Sequence, residues 1–163
     1  FDLLQKYHGL GERERLLLRL AAILHDCGKF ISMSAPGECA YQIIMSTEIL
    51  GISHMEREMV ASIVRYNTME LPNFNEFDGK LGNDEYLIVM KLAAILRVCN
   101  ALDRSHRQKF ADMKLTIKDS NIVITTAYPD NITLEKKTLQ DKQDFFEEVY
   151  GLGFEIKQKK KKQ

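Results

Sequence analysis

A chain of 163 residues, 45% of them hydrophobic and 28% charged, has the composition of an ordinary globular protein and is long enough to build a core without disulfides. Lys and Arg number 23 and Asp and Glu 23, so no net field selects nucleic acid or a membrane surface, and any polyanion contact must come from a local patch. Cys27, Cys39 and Cys99 are an odd set, two of them inside apolar helical patterns, which points to reduced thiols in the cytoplasm rather than an oxidised framework.

Phe1 to His8 carries a helical pattern already under way, stopped by Gly9 and Gly11. The first residue is not Met, so the chain reads as part of a longer polypeptide. It shows no signal peptide and no transmembrane run. From about Glu12 to Cys27 the run Leu16-Leu17-Leu18-Arg19-Leu20-Ala21-Ala22-Ile23-Leu24 is apolar on nearly every side, which predicts a helix buried in the middle of a bundle. It ends at His25-Asp26, and Gly28 can leave the helix with positive φ. A His and an Asp at the inner end of a buried helix need a metal, a phosphate or other side chains to satisfy them.

A loop over 32–37 leads to a helix from Glu38 to Leu50 with Tyr41, Ile44, Met45 and Ile49 on one face. Ser53-His54-Met55-Glu56 is a Ser-x-x-Glu capping box. It opens a helix to about Asn67 with Met55, Met59, Val60, Ile63 and Val64 as its buried stripe. Residues 68–82 form a long loop. Asn83-Asp84-Glu85 then caps a second buried helix, reaching about Arg104, with Leu87, Met90 and Leu102 among its inward residues. Leu92, Leu96, Cys99 and Asp103 share one line of it, so Asp103 is expected to point into the core.

After Lys109 the period changes to two. Met113, Leu115 and Ile117 alternate with polar residues, Asp119-Ser120-Asn121 turns, and Ile122 to Thr126 returns as a second strand. A short strand over Ile132-Thr133-Leu134, a helix from Lys137 to Tyr150 stopped by Gly151, and a last strand over Phe154 to Lys157 complete the pattern. The fold class is mainly α: a helical domain over 1–108, a small α+β unit over 109–158 (β-hairpin, short strand, helix, strand) and a basic tail over 159–163.

Two constellations carry chemistry. His25, Asp26 and Asp103 could hold a divalent metal, although three donors leave much of an octahedral shell to water. The other reading is that His25 and Asp26 bond to their surroundings and only cap the helix. Combining His25 with Cys27, Cys39 and Cys99 into a zinc set fits no finger or ribbon spacing. The second constellation is cationic: Lys29, Arg97, Arg104, His106, Arg107 and Lys109, of which the arginines present forks that match phosphate oxygens.

The His-Asp dipeptide with an inward Asp on another helix resembles the layout of the HD superfamily of metal-dependent phosphohydrolases. Four segments narrow the resemblance: Leu-His-Asp-Cys-Gly-Lys-Phe-Ile (24–31), Glu-Ile-Leu-Gly-Ile-Ser-His-Met-Glu-Arg-Glu (48–58), Val-Arg-Tyr-Asn (64–67) and Lys-Leu-Ala-Ala-Ile-Leu-Arg-Val-Cys-Asn-Ala-Leu-Asp-Arg-Ser-His (91–106). Together with the strand pair and Phe-Phe-Glu-Glu-Val-Tyr-Gly (145–151), they are similar to the C-terminal part of the exopolyphosphatase / guanosine-pentaphosphate phosphohydrolase family. The resemblance implies an HD-like accessory domain that binds polyphosphate and supports a homodimer. The hydrolytic site, with its divalent Mg or Mn, would then lie in N-terminal actin-like domains of the same polypeptide. It makes His25, Asp26 and Asp103 a reduced metal set, while the balanced charge and the lack of a transmembrane run give no sign of a membrane or nucleic-acid partner. Many relatives carry His where this chain has Cys39 and Asn67. The remaining readings are a metal-dependent phosphohydrolase using His25, Asp26 and Asp103, and an HD-derived interaction module without catalysis.

Overall fold

A computed structural model describes residues 1–77 and 81–159. Among these the helices are α1 (Gln5–His8), α2 (Glu12–Leu24), α3 (Pro36–Met45), α4 (His54–Arg65), α5 (Asn83–Leu102), α6 (Thr133–Gln140) and α7 (Gln143–Tyr150). The strands are β1 (Lys114–Lys118), β2 (Asn121–Thr126) and β3 (Gly153–Gln158). The protein is thus mainly α with a small α+β unit, as its periodicities indicate. It divides into two compact units, Gly9–Leu96 and Phe1–His8 with Arg97–Gln163. The boundary expected near residue 108 falls inside the second of these. Of the expected basic tail only Lys159 is described, and Asp78-Gly79-Lys80 of the long loop lie outside the described residues.

In the Gly9–Leu96 unit, α4 and the part of α5 up to Leu96 are the buried elements, the latter with Val89 and Leu92 to Leu96 inside as expected. In α4 every residue from Glu58 to Val64 is withdrawn from water, and α2 and α3 pack against it. Its start is the capping box expected from the sequence: Ser53 Oγ accepts from Glu56 N at 3.2 Å while Glu56 Oε2 accepts from Ser53 N at 2.7 Å. Arg13, from the first turn of α2, clasps the same Glu56 carboxylate and the Gly51 carbonyl, with Nη2 at 2.8 Å from each. The hydrogen bonds from Arg13 and from the Ser53 amide hold the Glu56 carboxyl down, at about 2.

The apolar run of α2 behaves differently from expectation. Only Leu17 and Ala21 are buried, and Ile23 is 78% exposed, so α2 covers α4 with a single stripe and is not a central helix. A sequence apolar all round sets no limit on which faces receive neighbours, and here one face does. Met55 and Leu87, expected inside, are each 38% exposed. Gly28 does not take a positive φ, unlike Gly9 and Gly51. Its role is close approach: a Cβ there would lie 1.9 Å from Pro36 O and 2.5 Å from Ala40 N. The short 3-10 turn Cys27–Phe30 therefore presses its backbone onto the first turn of α3, where Pro36 supplies a pre-set φ.

The second unit holds the sheet, in the order β1-β2-β3. β1 and β2 form an antiparallel hairpin closed by Asp119 (φ 49) and Ser120 (φ 59), the paired left-handed residues of a tight two-residue turn. β2 is central, with Ile122, Val123 and Ile124 all buried, while β1 is an edge with Leu115 39% exposed. β3 runs parallel to β2, so the intervening α6 and α7 form the crossover that a parallel pair requires. The expected strand over Ile132 to Leu134 is the start of α6 instead. Asn131 Oδ1 accepts from Thr133 N at 2.6 Å, and Glu135-Lys136-Lys137 are good helix formers, which outweighs the β-branched pair. The expected helix from Lys137 to Tyr150 is two helices joined at Asp141-Lys142, and α7 stops at Gly151 in the left-handed region, as anticipated.

Two outcomes test this packing. Gly28→Ala should cost about 1–3 kcal/mol in urea unfolding, because its Cβ meets backbone that cannot turn aside. Arg13→Met should move acid unfolding, followed by circular dichroism, to higher pH. The depressed Glu56 carboxyl contributes stability that is present above its unfolded value of 4.5 and lost as pH falls towards about 2. Without Arg13 that loss begins earlier.

Candidate functional site

The His-Asp dipeptide lies where α2 gives way to the 3-10 turn of the Gly9–Leu96 unit. His25 Nδ1 donates to the Ala22 carbonyl at 2.7 Å, which turns Nε2 towards Asp26, 3.5 Å from Oδ1. Lys29 Nζ reaches the same Asp26 oxygen at 2.7 Å. His25, Asp26 and Lys29 are all partly exposed, so the dipeptide is on an accessible shoulder and not at a buried inner end. Anchoring Nδ1 on a carbonyl is how a metal-ligating histidine is usually oriented. Yet among the described residues no group of three or more His, Cys, Asp or Glu is placed to hold an ion. Two donors, one already in contact with an ammonium, are an incomplete set for a hard dication, and no metal-dependent step follows from them. Burial pushes the Cys27 thiol up, which keeps it protonated and a poor ligand.

The same unit holds buried polar groups, of which Glu58 was not singled out from the sequence. Glu58 is 2% exposed and accepts the Tyr41 hydroxyl, whose pKa burial raises. Arg65 stacks over Tyr41 and Tyr66 and pairs with Glu38 at 2.7 Å. Within Glu56-Arg57-Glu58, Glu58 looks like part of a solvated run. The signal that could have found it is its place three residues before Ala61 and four before Ser62, both buried. Asn67 is 3% exposed and, among the described residues, neither side-chain amide atom has a hydrogen-bond partner.

In the second unit α5 ends at Leu102, so Asp103 is the first residue beyond the helix, and it is half-buried where the expected stripe would place it in the core. Cys99 is exposed. Leu92 and Leu96, on the same expected line, are buried. Asp103 Oδ1 accepts from Gln108 N at 2.9 Å, and its carbonyl accepts from His106 N at 2.8 Å. These bonds fold 103–108 into a compact loop in which His106 (φ 53) and Gln108 (φ 50) are left-handed. Arg104, His106 and Arg107 are exposed on it.

The other cations are engaged. The Arg97 guanidinium stacks over Phe145, 4.4 Å from the ring centre. Lys109 Nζ bonds Glu135 Oε2 at 3.0 Å and Asn131 O at 2.9 Å, while its own carbonyl accepts from Thr126 Oγ1 at 3.0 Å. Glu135 is completely buried. Burial alone would push its carboxyl up. The adjacent Ser105 hydroxyl and the Lys109 ammonium outweigh that and hold it below the usual carboxylate range. Of the six cations read from the sequence, Lys29 and Lys109 are thus in ion pairs and Arg97 in a stack. Arg104, His106 and Arg107 face solvent together. No helix among the described residues is long and apolar enough to cross a membrane.

Compared with protein families, residues 2–144 match the family model described as Ppx/GppA phosphatase, domain III. Compared with curated proteins, the chain has no match.

The Lys109–Glu135 pair generates a direct test. Glu135→Ala strands a nearly buried ammonium and should cost about 3–5 kcal/mol in chemical denaturation, whereas exchanging both partners for apolar residues of similar volume should restore most of that loss.

Proposed function

Because the chain belongs to the Ppx/GppA phosphatase family, matched over domain III, we propose that it is the accessory, polyanion-binding part of an exopolyphosphatase-type hydrolase of the cytoplasm. The proposed ligand is polyphosphate, the linear chain such a hydrolase shortens. The contact surface is the 103–108 loop, with the two guanidinium forks of Arg104 and Arg107 and the imidazole of His106. The observation that supports this most is the contrast among the cations. Lys29, Arg97 and Lys109 are occupied by their own neighbours, whereas the cations of this loop remain in water on a backbone held by Asp103. A loop stiffened in this way loses little freedom when a phosphate chain lies along it.

In this reading phosphate release belongs to other domains of the family's polypeptides, which would carry the divalent Mg or Mn, and a homodimer would align two such loops. The reading of His25, Asp26 and Asp103 as a metal phosphohydrolase site has less support, since Asp26 is already in contact with Lys29 and no ligand group of three is present among the described residues. An HD-derived interaction module would leave the loop cations without a ligand.

Titration of the chain with long-chain polyphosphate at two salt concentrations tests the proposal. Binding should weaken as salt rises, and the Arg104→Ala, Arg107→Ala double variant should weaken it about tenfold, or about 1.4 kcal/mol. Salt-insensitive binding, or none, would favour the interaction module. Phosphate release by the isolated chain with Mg²⁺, abolished in His25→Ala, would overturn the accessory role.

A further inference from the structure

Beside that loop, within the second unit, is a recess of about 390 Å³ lined by Cys99, Leu102, Asp103, Gln108, Phe110, Ala111 and Met113. This is within the size range of small-molecule sites. Its walls are apolar apart from Gln108 and one carboxylate, and they are held in place by bonds already made. Gln108 N donates to Asp103 Oδ1 at 2.9 Å, Ala111 N to Gln108 O at 3.0 Å, and Met113 N to Phe110 O at 3.1 Å. Phe110 is only 6% exposed and anchors the inner wall. Asp103 thus spends one carboxylate oxygen on the loop, and the second has no hydrogen-bond or ion-pair partner among the described residues. Arg104, His106 and Arg107 are not among the lining residues.

We propose that this recess binds a small organic cation: an apolar body of a few carbons seated among Leu102, Phe110 and Met113, with its ammonium on the free oxygen of Asp103. Charge complementarity selects that occupant. Pure hydrocarbon would strip water from the carboxylate and offer it no donor. An anion would be repelled by it. A metal ion would need further ligands, and the carboxylate and thiol belong to no group of three among the described residues. The recess shares Asp103 and Gln108 with the loop of the polyphosphate reading but not the cations Arg104, His106 and Arg107, which do not line it.

Cys99, exposed in the lining, provides the readout. Its alkylation by a maleimide, followed by peptide mass spectrometry to separate it from Cys27 and Cys39, is measured in the presence of n-hexylammonium and, separately, of n-hexanol. The cation should slow the reaction about threefold to fivefold more than the alcohol, the ratio a partly exposed ion pair supports. Asp103→Asn keeps an acceptor for Gln108 N and should erase the difference. Should that variant unfold, Ala111→Trp, which fills the recess from its rim, should abolish protection by the cation. Equal protection by both compounds, no protection by the cation, or protection that survives either folded variant would overturn the proposal.

Discussion

The Lys109–Glu135 pair is the interaction on which the second unit turns. Glu135 is fully withdrawn from water near the start of α6, and Lys109 stands in the link between α5 and the hairpin. Their contact ties that link to the crossover. Thr126 Oγ1, donating to the Lys109 carbonyl at 3.0 Å, adds the end of β2 to the same point. An ammonium and a carboxylate out of water are tolerable only together, so segments far apart in sequence are held in one arrangement.

The same rule of local pairing shapes what is left for function. In both units several carboxylates are met by nearby cations: Glu56 by Arg13, Glu38 by Arg65, Asp26 by Lys29, Glu135 by Lys109. A chain with no net charge can therefore still present a basic loop, because pairing removes some cations from service and leaves Arg104, His106 and Arg107 in water. Asp103 belongs to that loop as a structural acceptor. Its bond to Gln108 N shapes the loop and sets one edge of the apolar recess beside it.

Close backbone approach plays the corresponding part in the Gly9–Leu96 unit. With no side chain at Gly28, the turn after α2 can lie against the first turn of α3, and that contact sets the shoulder on which His25 and Asp26 stand. The dipeptide is satisfied within one turn of chain, by Ala22 O on one side and Lys29 on the other.

Much was legible from the amino-acid sequence alone, wherever the cause is local. The capping box at Ser53 and Glu56, the hairpin about Asp119-Ser120, the stop at Gly151, the mainly α class and the family itself follow from neighbouring residues, whose preferences act over a few positions. What the tertiary structure decided is which faces meet and which charges pair. Leu16 to Leu24 reads as central yet buries one stripe. Glu58, in a charged run beside Glu56 and Arg57, is buried. Ile132 to Leu134 reads as a strand yet begins a helix, and Lys109 reads as a ligand for phosphate yet is held by Glu135, 26 positions away. Burial and ion pairing depend on what arrives from elsewhere in the chain, and no window of a few residues contains that information.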